Sequence, residues 1–281
     1  MINSRLFAIQ RSLPIGPFGS SSAYRRRSRA RPFWLQFRPR VASVSRSFRS
    51  DAIVGDAGSG ARAFPHRVLE VAAGDASLCA CLAARGIEVF ANDLRVENLR
   101  DAVECFTVGD DVNLLPGNLF DLDPAQTGLF DLVIACEIIE HVAHTVDLLR
   151  HLKRFLTPAG RLLLTTPNGS YFRNRLPTYS EIADSAALEA TQFEPDADGH
   201  LFLLTSAELR GVAEQAGLRV EQIDFYATPF ITGHCLLSVL QGQTVARLCY
   251  RLEQLSQRLC FKAREKFCFL ICAVLAGETS I

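Results

Sequence analysis

The sequence predicts an α/β domain built on a doubly wound, mostly parallel sheet. Three observations predict it. Short apolar stretches alternate with segments of helical periodicity across short connections, the pattern left by parallel strands covered on both faces by helices. The stretch from Arg67 to Asp93 reads as strand, glycine-bearing turn, helix, second strand and a closing carboxylate. Its 281 residues, 48% hydrophobic and 21% charged, suffice for one large core rather than two ordinary ones.

Each element follows from its own residues. Val68 to Ala73 is an apolar run broken only by Glu70, as suits a strand buried on both faces. Gly74 permits a tight turn, and Ser77 to Arg85 then has small and apolar residues at helical spacing before stopping at Gly86. Ile87 to Ala91 forms the second strand, with Asp93 just past its end. A helix is expected over Val96 to Phe106, a third strand over Asn113 to Leu115, and a fourth over Phe130 to Cys136. Thr145 to Leu156 carries Val146, Leu149, Leu152, Phe155 and Leu156 on one face and is expected to end as a helix at Pro158-Ala159-Gly160. Arg161 to Thr165 is the fifth strand. Residues 168–200 break the alternation and hold Tyr171, Phe172, Tyr179 and Phe193, so they read as a lid or substrate wall. Thr205-Ser206-Ala207-Glu208 is a capping box opening a helix that ends at Gly217, and Leu218 to Tyr226 is a sixth strand.

Residues 228–264 form a helical insertion in which Leu236, Leu237, Leu240, Val245, Leu248, Leu252, Leu255 and Leu259 recur at helical spacing. Such a helix packs on its own domain or on a second subunit, with peripheral membrane contact as the alternative. Lys266 to Ala276 is apolar, too short to span a bilayer and right for a buried strand.

Residues 1–50 are rich in arginine and serine, with eleven arginines and no acidic residue. They read as a disordered segment, and residues 51–66, with Gly55, Gly58 and Gly60, as a linker to a domain over 67–281. An early start codon, a basic arm and a mitochondrial transit peptide all suit that composition, so the expected location is cytoplasmic with a mitochondrial alternative. Because the formal charge is zero overall, the rest of the chain is net acidic, which argues against nucleic acid as a partner. Nine cysteines, mostly inside apolar runs, read as reduced packing residues, with no transmembrane segment and no disulfide framework.

A turn of small residues lets a ligand lie against backbone, and a carboxylate at the neighbouring strand tip accepts both hydroxyls of a ribose. Residues 67–93 therefore point to a nucleoside ligand. They also resemble motif I of the class I S-adenosylmethionine-dependent methyltransferases. The resemblance continues in order through Gly117-Asn118-Leu119, Phe130 to Glu137, Glu140-His141-Val142, Leu156 to Leu164 and Thr165-Thr166-Pro167-Asn168, and covers Arg67 to about Tyr226. It implies a Rossmann-like seven-stranded sheet with an antiparallel last strand inserted, which Lys266 to Ala276 would supply. It also implies S-adenosyl-L-methionine as cofactor. Glu70, Ala72, Gly74 and Asp75 would then lie around its methionine end, Asp93 and Leu94 at the ribose, Asn118 and Leu119 at the adenine, and Cys136 or Glu137 at the fourth-strand tip. Ala72 and Ala76 stand where the family has glycine, which is tolerable if the backbone there avoids positive φ.

On the acceptor side, Glu137, Glu140 and His141 are spaced to share one face if the chain coils after the fourth strand, and His200 closes the lid. His141, Glu137 and His200 are the catalytic candidates, as general base or hydrogen-bonding lid anchor. With Glu140 the same residues could hold Mg or Mn, as the resemblance to the quinone-biosynthesis O-methyltransferases and small-RNA 2′-O-methyltransferases implies. The expected reaction is methyl transfer to a small-molecule acceptor, at a hydroxyl oxygen, with apolar walls that suit a hydrophobic or lipid-linked compound. Two alternatives stay open: an NAD(P)-dependent oxidoreductase, and a catalytically inactive scaffold that binds partners through the leucine-rich helix. Oligomeric state is not legible.

Overall fold

The computed structural model describes residues 65–74, 76–95, 99, 112–191, 199–229 and 243–277. The expected disordered segment, nearly all of the linker, Asp75, Phe193, Leu236, Leu237, Leu240 and most of the Val96 to Phe106 helix lie outside them.

The strands are β1 (Arg67–Val71), β2 (Glu88–Asp93), β3 (Val112–Pro116), β4 (Phe130–Cys136), β5 (Leu156–Pro167), β6 (Leu218–Tyr226) and β7 (Leu270–Gly277). The helices are α1 (Ser77–Ala83), α2 (Pro124–Thr127), α3 (Thr145–Lys153), α4 (Ser206–Gln215), α5 (Gln243–Ser256) and α6 (Phe261–Phe267). They build one seven-stranded sheet in the order β3-β2-β1-β4-β5-β7-β6. β1 to β5 pair in parallel, whereas β7 runs antiparallel to both β5 and β6. The expected doubly wound sheet with its inserted last strand is therefore present.

Period-two alternation assigns side chains to the two faces. Leu69, Val71, Val133, Ala135, Leu162 and Leu164 face one layer with Leu148, Leu149 and Leu152 of α3 and Leu209 and Val212 of α4. Val68, Val89, Ala91, Leu132 and Ile134 face the other, with Leu78, Cys79 and Leu82 of α1. Leu149 is fully buried in the first of these layers, so its truncation to alanine would open a cavity costing about 2–5 kcal/mol.

Capping explains several boundaries. Thr205 accepts the Glu208 N–H at 3.2 Å, and the Glu208 carboxylate accepts the Thr205 N–H at 2.7 Å, fixing the start of α4. Gly217, at φ 70°, lets the chain leave α4 for β6.

Four expectations need correction. Leu156 belongs to β5, not to the preceding helix, because its backbone pairs with Phe130 ahead of the Pro158-Ala159-Gly160 interruption. Asp93 is the last residue of β2 rather than just beyond it, since pairing with Pro116 extends the strand. Lys266 and Phe267 close α6, and the final strand begins at Leu270. Finally, the backbone at Ala72 and Ala76 does not avoid the left-handed region: φ is 50° and 46°. No helix among the described residues is long and apolar enough to cross a membrane.

A non-glycine residue held in the left-handed region is strained by roughly 1–2 kcal/mol, partly offset by the greater unfolded-state entropy of glycine. Ala72→Gly and Ala76→Gly should therefore each stabilise the fold, by about 0.5–1 kcal/mol in denaturant melts. Unchanged or lowered stability in both would contradict the strain.

Candidate active site

All sequence-predicted site residues within the described set gather at the carboxyl ends of the parallel strands. β1 ends at Val71, in register with Asn92 of β2 and Ala135 of β4, and Cys136 of β4 is level with Thr165 of β5. The turn after β1 and the tips of β2, β4 and β5 thus line one edge of the sheet.

Asp93 organises the first half. Its Oδ2 accepts the Gly74 N–H at 2.8 Å and its Oδ1 accepts the Arg95 N–H at 2.8 Å, so the carboxylate is oriented by two backbone donors. A Cβ placed on Gly74 would meet no heavy atom within 4 Å, so the turn opens onto space rather than onto core. A turn open to a ligand beside an oriented, 7% exposed carboxylate fits a nucleoside with a free ribose. Leu94, just beyond, is exposed.

Glu70, the residue before the last of β1, is buried, and its carboxylate accepts the Cys79 thiol at 2.9 Å. Asn118 is exposed and caps the following short turn, accepting the Phe120 N–H at 3.1 Å. Leu119 is buried, and its carbonyl accepts a hydrogen bond from His151 Nε2 at 2.9 Å. That bond fastens the β3 exit to α3. Burial holds the His151 pKa below its ordinary value.

The second half of the site begins where β4 ends. Glu137 takes a left-handed conformation, φ 53°, which turns the chain out of the sheet; its Oε1 accepts the Thr165 hydroxyl at 2.8 Å. A short 3-10 turn, Ile139–His141, follows. Glu140 is fully buried, with Oε2 accepting the Thr166 hydroxyl at 2.9 Å and Oε1 lying 4.0 Å from His141 Nε2 and 3.9 Å from His200 Nε2. The Leu201 N–H donates to the Glu140 carbonyl at 2.9 Å, and His141 Nδ1 lies 3.2 Å from the Gly199 carbonyl, so the end of the lid is stitched to this turn. The two imidazole rings meet edge to face at 4.9 Å. Glu140, His141 and His200 each offer a ligand atom within 4.8 Å of the others. Glu137, committed to Thr165, stands outside that group, so the four-residue expectation reduces to three.

Sequence reasoning missed Thr165 and Thr166 as the partners that aim the two glutamates. Their signal was available: adjacent hydroxyls at the tip of the strand next to β4. It also missed the role of Asn168, buried, whose Nδ2 donates to the carbonyls of Glu265 at 2.5 Å and Cys268 at 2.9 Å and thereby pins the start of the lid to α6 and the residue that caps it.

A family description for a methyltransferase domain matches residues 25–223. The chain belongs to that family. Its sheet order is that of the class I S-adenosylmethionine-dependent methyltransferases. A ubiquinone biosynthesis O-methyltransferase of Xanthomonas axonopodis pv. citri is 30% identical over 159 residues, 56% of this chain and 64% of the relative. A protein of the same description from Caulobacter is 29% identical over 103 residues, covering 36% and 41% of the two chains. This chain thus spans less than two thirds of the relatives it matches. Among solved structures, a putative sarcosine dimethylglycine methyltransferase from Galdieria sulphuraria aligns with a TM-score of 0.50 at 12% identity, over 77% of this chain and 80% of that one. That likeness concerns the fold alone.

His200 carries a pH signature. Burial, and then the neighbouring His141, lower its pKa below 6.5. The folded state therefore binds this proton less readily than the unfolded state does, so stability drops as pH falls below 6.5 and levels off beneath the folded pKa. Denaturant melts between pH 5 and 8 should show that drop in the native protein and a smaller one in His200→Gln.

Proposed function

We propose that this chain transfers a methyl group from S-adenosyl-L-methionine to a hydroxyl oxygen of a small apolar acceptor, and that Glu140, His141 and His200 hold a divalent cation on the acceptor side. One observation supports this reading above the others: a buried carboxylate with its neighbouring imidazole and a second imidazole from a distant part of the chain converge after β4, on the sheet edge where β1 and β2 also end.

The cofactor supplies a methyl group on a positively charged sulfur. Asp93 would hold the ribose hydroxyls, the Gly74 turn would lie along the methionine end, and Asn118 and Leu119 would frame the adenine. The fit rests on the open space at Gly74 and on the fixed plane of the Asp93 carboxylate.

The cation reading rests on donor chemistry and spacing. Two ligand atoms each about 2.1 Å from one ion lie at most about 4.2 Å apart. The separations of 3.9 and 4.0 Å from Glu140 Oε1 fall inside that limit, and His141 and His200 would have to close slightly. A carboxylate with two imidazoles suits manganese, iron or zinc, and magnesium less well. Such an ion lowers the pKa of a bound hydroxyl, making the oxygen a nucleophile at neutral pH. Thr166 keeps Glu140 pointed at the two rings, and the Leu201 bond to the Glu140 carbonyl keeps His200 over them. A metal-free reading is favoured by the lowered His200 pKa: a neutral imidazole beside a carboxylate can itself take the acceptor proton.

Asp93→Ala should weaken S-adenosylhomocysteine binding in calorimetry by at least tenfold, and undiminished affinity would remove the cofactor assignment. Turnover of labelled methyl donor with phenol and quinol acceptors should vanish on chelation and return with manganese or magnesium. It should not return in Glu140→Gln. Full activity under chelation, together with an inactive His200→Gln, would instead establish the metal-free base.

A further inference from the structure

The helical insertion presents an inverted face. An amphipathic helix in a globular domain ordinarily buries its leucines. Among the described side chains of α5 the buried ones are Cys249, Glu253 and Ser256 and Leu252 is half-buried, whereas Leu248 and Leu255, two helical turns apart, are 50% and 52% exposed. Leu259 and Phe261 continue the exposed apolar surface toward α6, at 46% and 40%. Single exposed leucines need no explanation, but four large apolar residues within fourteen positions do.

Charge accompanies them with one sign. Arg251 and Arg258, three residues beyond Leu248 and Leu255, flank the leucine stripe and are exposed, as are Lys262 and Lys266. Residues 243–267 contain two acids, and both point inward. Glu253 accepts the N–H groups of Ala227 and Thr228 at 2.9 and 2.8 Å, and Glu265 accepts the Ser206 hydroxyl at 2.6 Å. The surface around the apolar stripe is therefore basic. The lid extends it: Phe172, 59% exposed, stacks on Phe267 at 6.2 Å and donates its N–H to the Lys266 carbonyl at 3.0 Å, with exposed Arg173 beside it.

We propose that this face, from α5 through α6 to the start of the lid, docks on an anionic lipid surface. Leucine and phenylalanine enter the acyl boundary while arginine and lysine meet the headgroups. A second copy of this chain is the weaker occupant, because a two-fold interface would set one basic rim against another. The inference does not depend on the cation reading. It would bring the lid, which ends at the acceptor site, to the layer where an apolar acceptor dissolves.

The test is flotation of the full chain with vesicles of phosphatidylcholine alone and of phosphatidylcholine mixed with phosphatidylglycerol. The native protein should float with the mixed vesicles and not with the neutral ones. Because the arginines before Asp51 also attract anionic lipid, the decisive variant changes Leu248, Leu255 and Leu259 to Gln, which leaves the charge intact. It should partition at least tenfold more weakly while keeping its melting temperature and its S-adenosylhomocysteine affinity. Unaltered flotation of that variant would assign binding to the N-terminal arginines and overturn the proposal. So would failure of the native chain to float, or light scattering showing a dimer that the substitutions dissociate.

Discussion

The parallel register of β2, β1, β4 and β5 is the constraint from which the site follows. Parallel strands end on one edge together, so the turns that leave them open into a common crevice. Here the register sets Val71 beside Asn92 and Ala135, and Cys136 beside Thr165. The next residues along each chain are therefore neighbours without any further device. Asp93 reaches the Gly74 turn because the two strands finish level, and Glu137 and Glu140 reach Thr165 and Thr166 for the same reason.

Leaving a buried strand abruptly at that edge strains the backbone. Ala72, Glu137 and Ala227 each follow the last residue of a strand, β1, β4 and β6 respectively, and each has positive φ. All three strands point the same way, so the strained residues share the edge that holds the candidate site. Strained backbone persists only where the surroundings over-determine it. At Ala227 the restraint is visible: its N–H and that of Thr228 are both held by the buried Glu253 carboxylate. One α5 residue thus fixes the β6 exit and the insertion helix together.

The lid is held in the same manner, by buried polar groups rather than by apolar packing alone. Asn168 joins its start to α6 and the α6 exit, and the Glu140 backbone joins its end to the β4 exit. Its two ends are thus tied to segments far apart in sequence, the α6 exit and the turn after β4.

The sequence by itself determined the strand and helix order, the inserted last strand and the row of residues at the tips. The order is written in local periodicity and in caps such as Thr205 with Glu208, which act over a few residues, whereas the insertion of the last strand was implied by the family resemblance. It misplaced Leu156, because the Pro158-Ala159-Gly160 stop signal is local whereas the Leu156 pairing with Phe130 is not. It grouped Glu137 with the acceptor cluster, because helical spacing could not reveal that a left-handed turn and the Thr165 hydroxyl would draw it away. Only the tertiary structure brought His200 within 4.9 Å of His141 across fifty-eight intervening residues, and only it showed which face of α5 is buried. Both are long-range facts: loop closure and layer packing choose among faces and partners that the local pattern leaves equivalent.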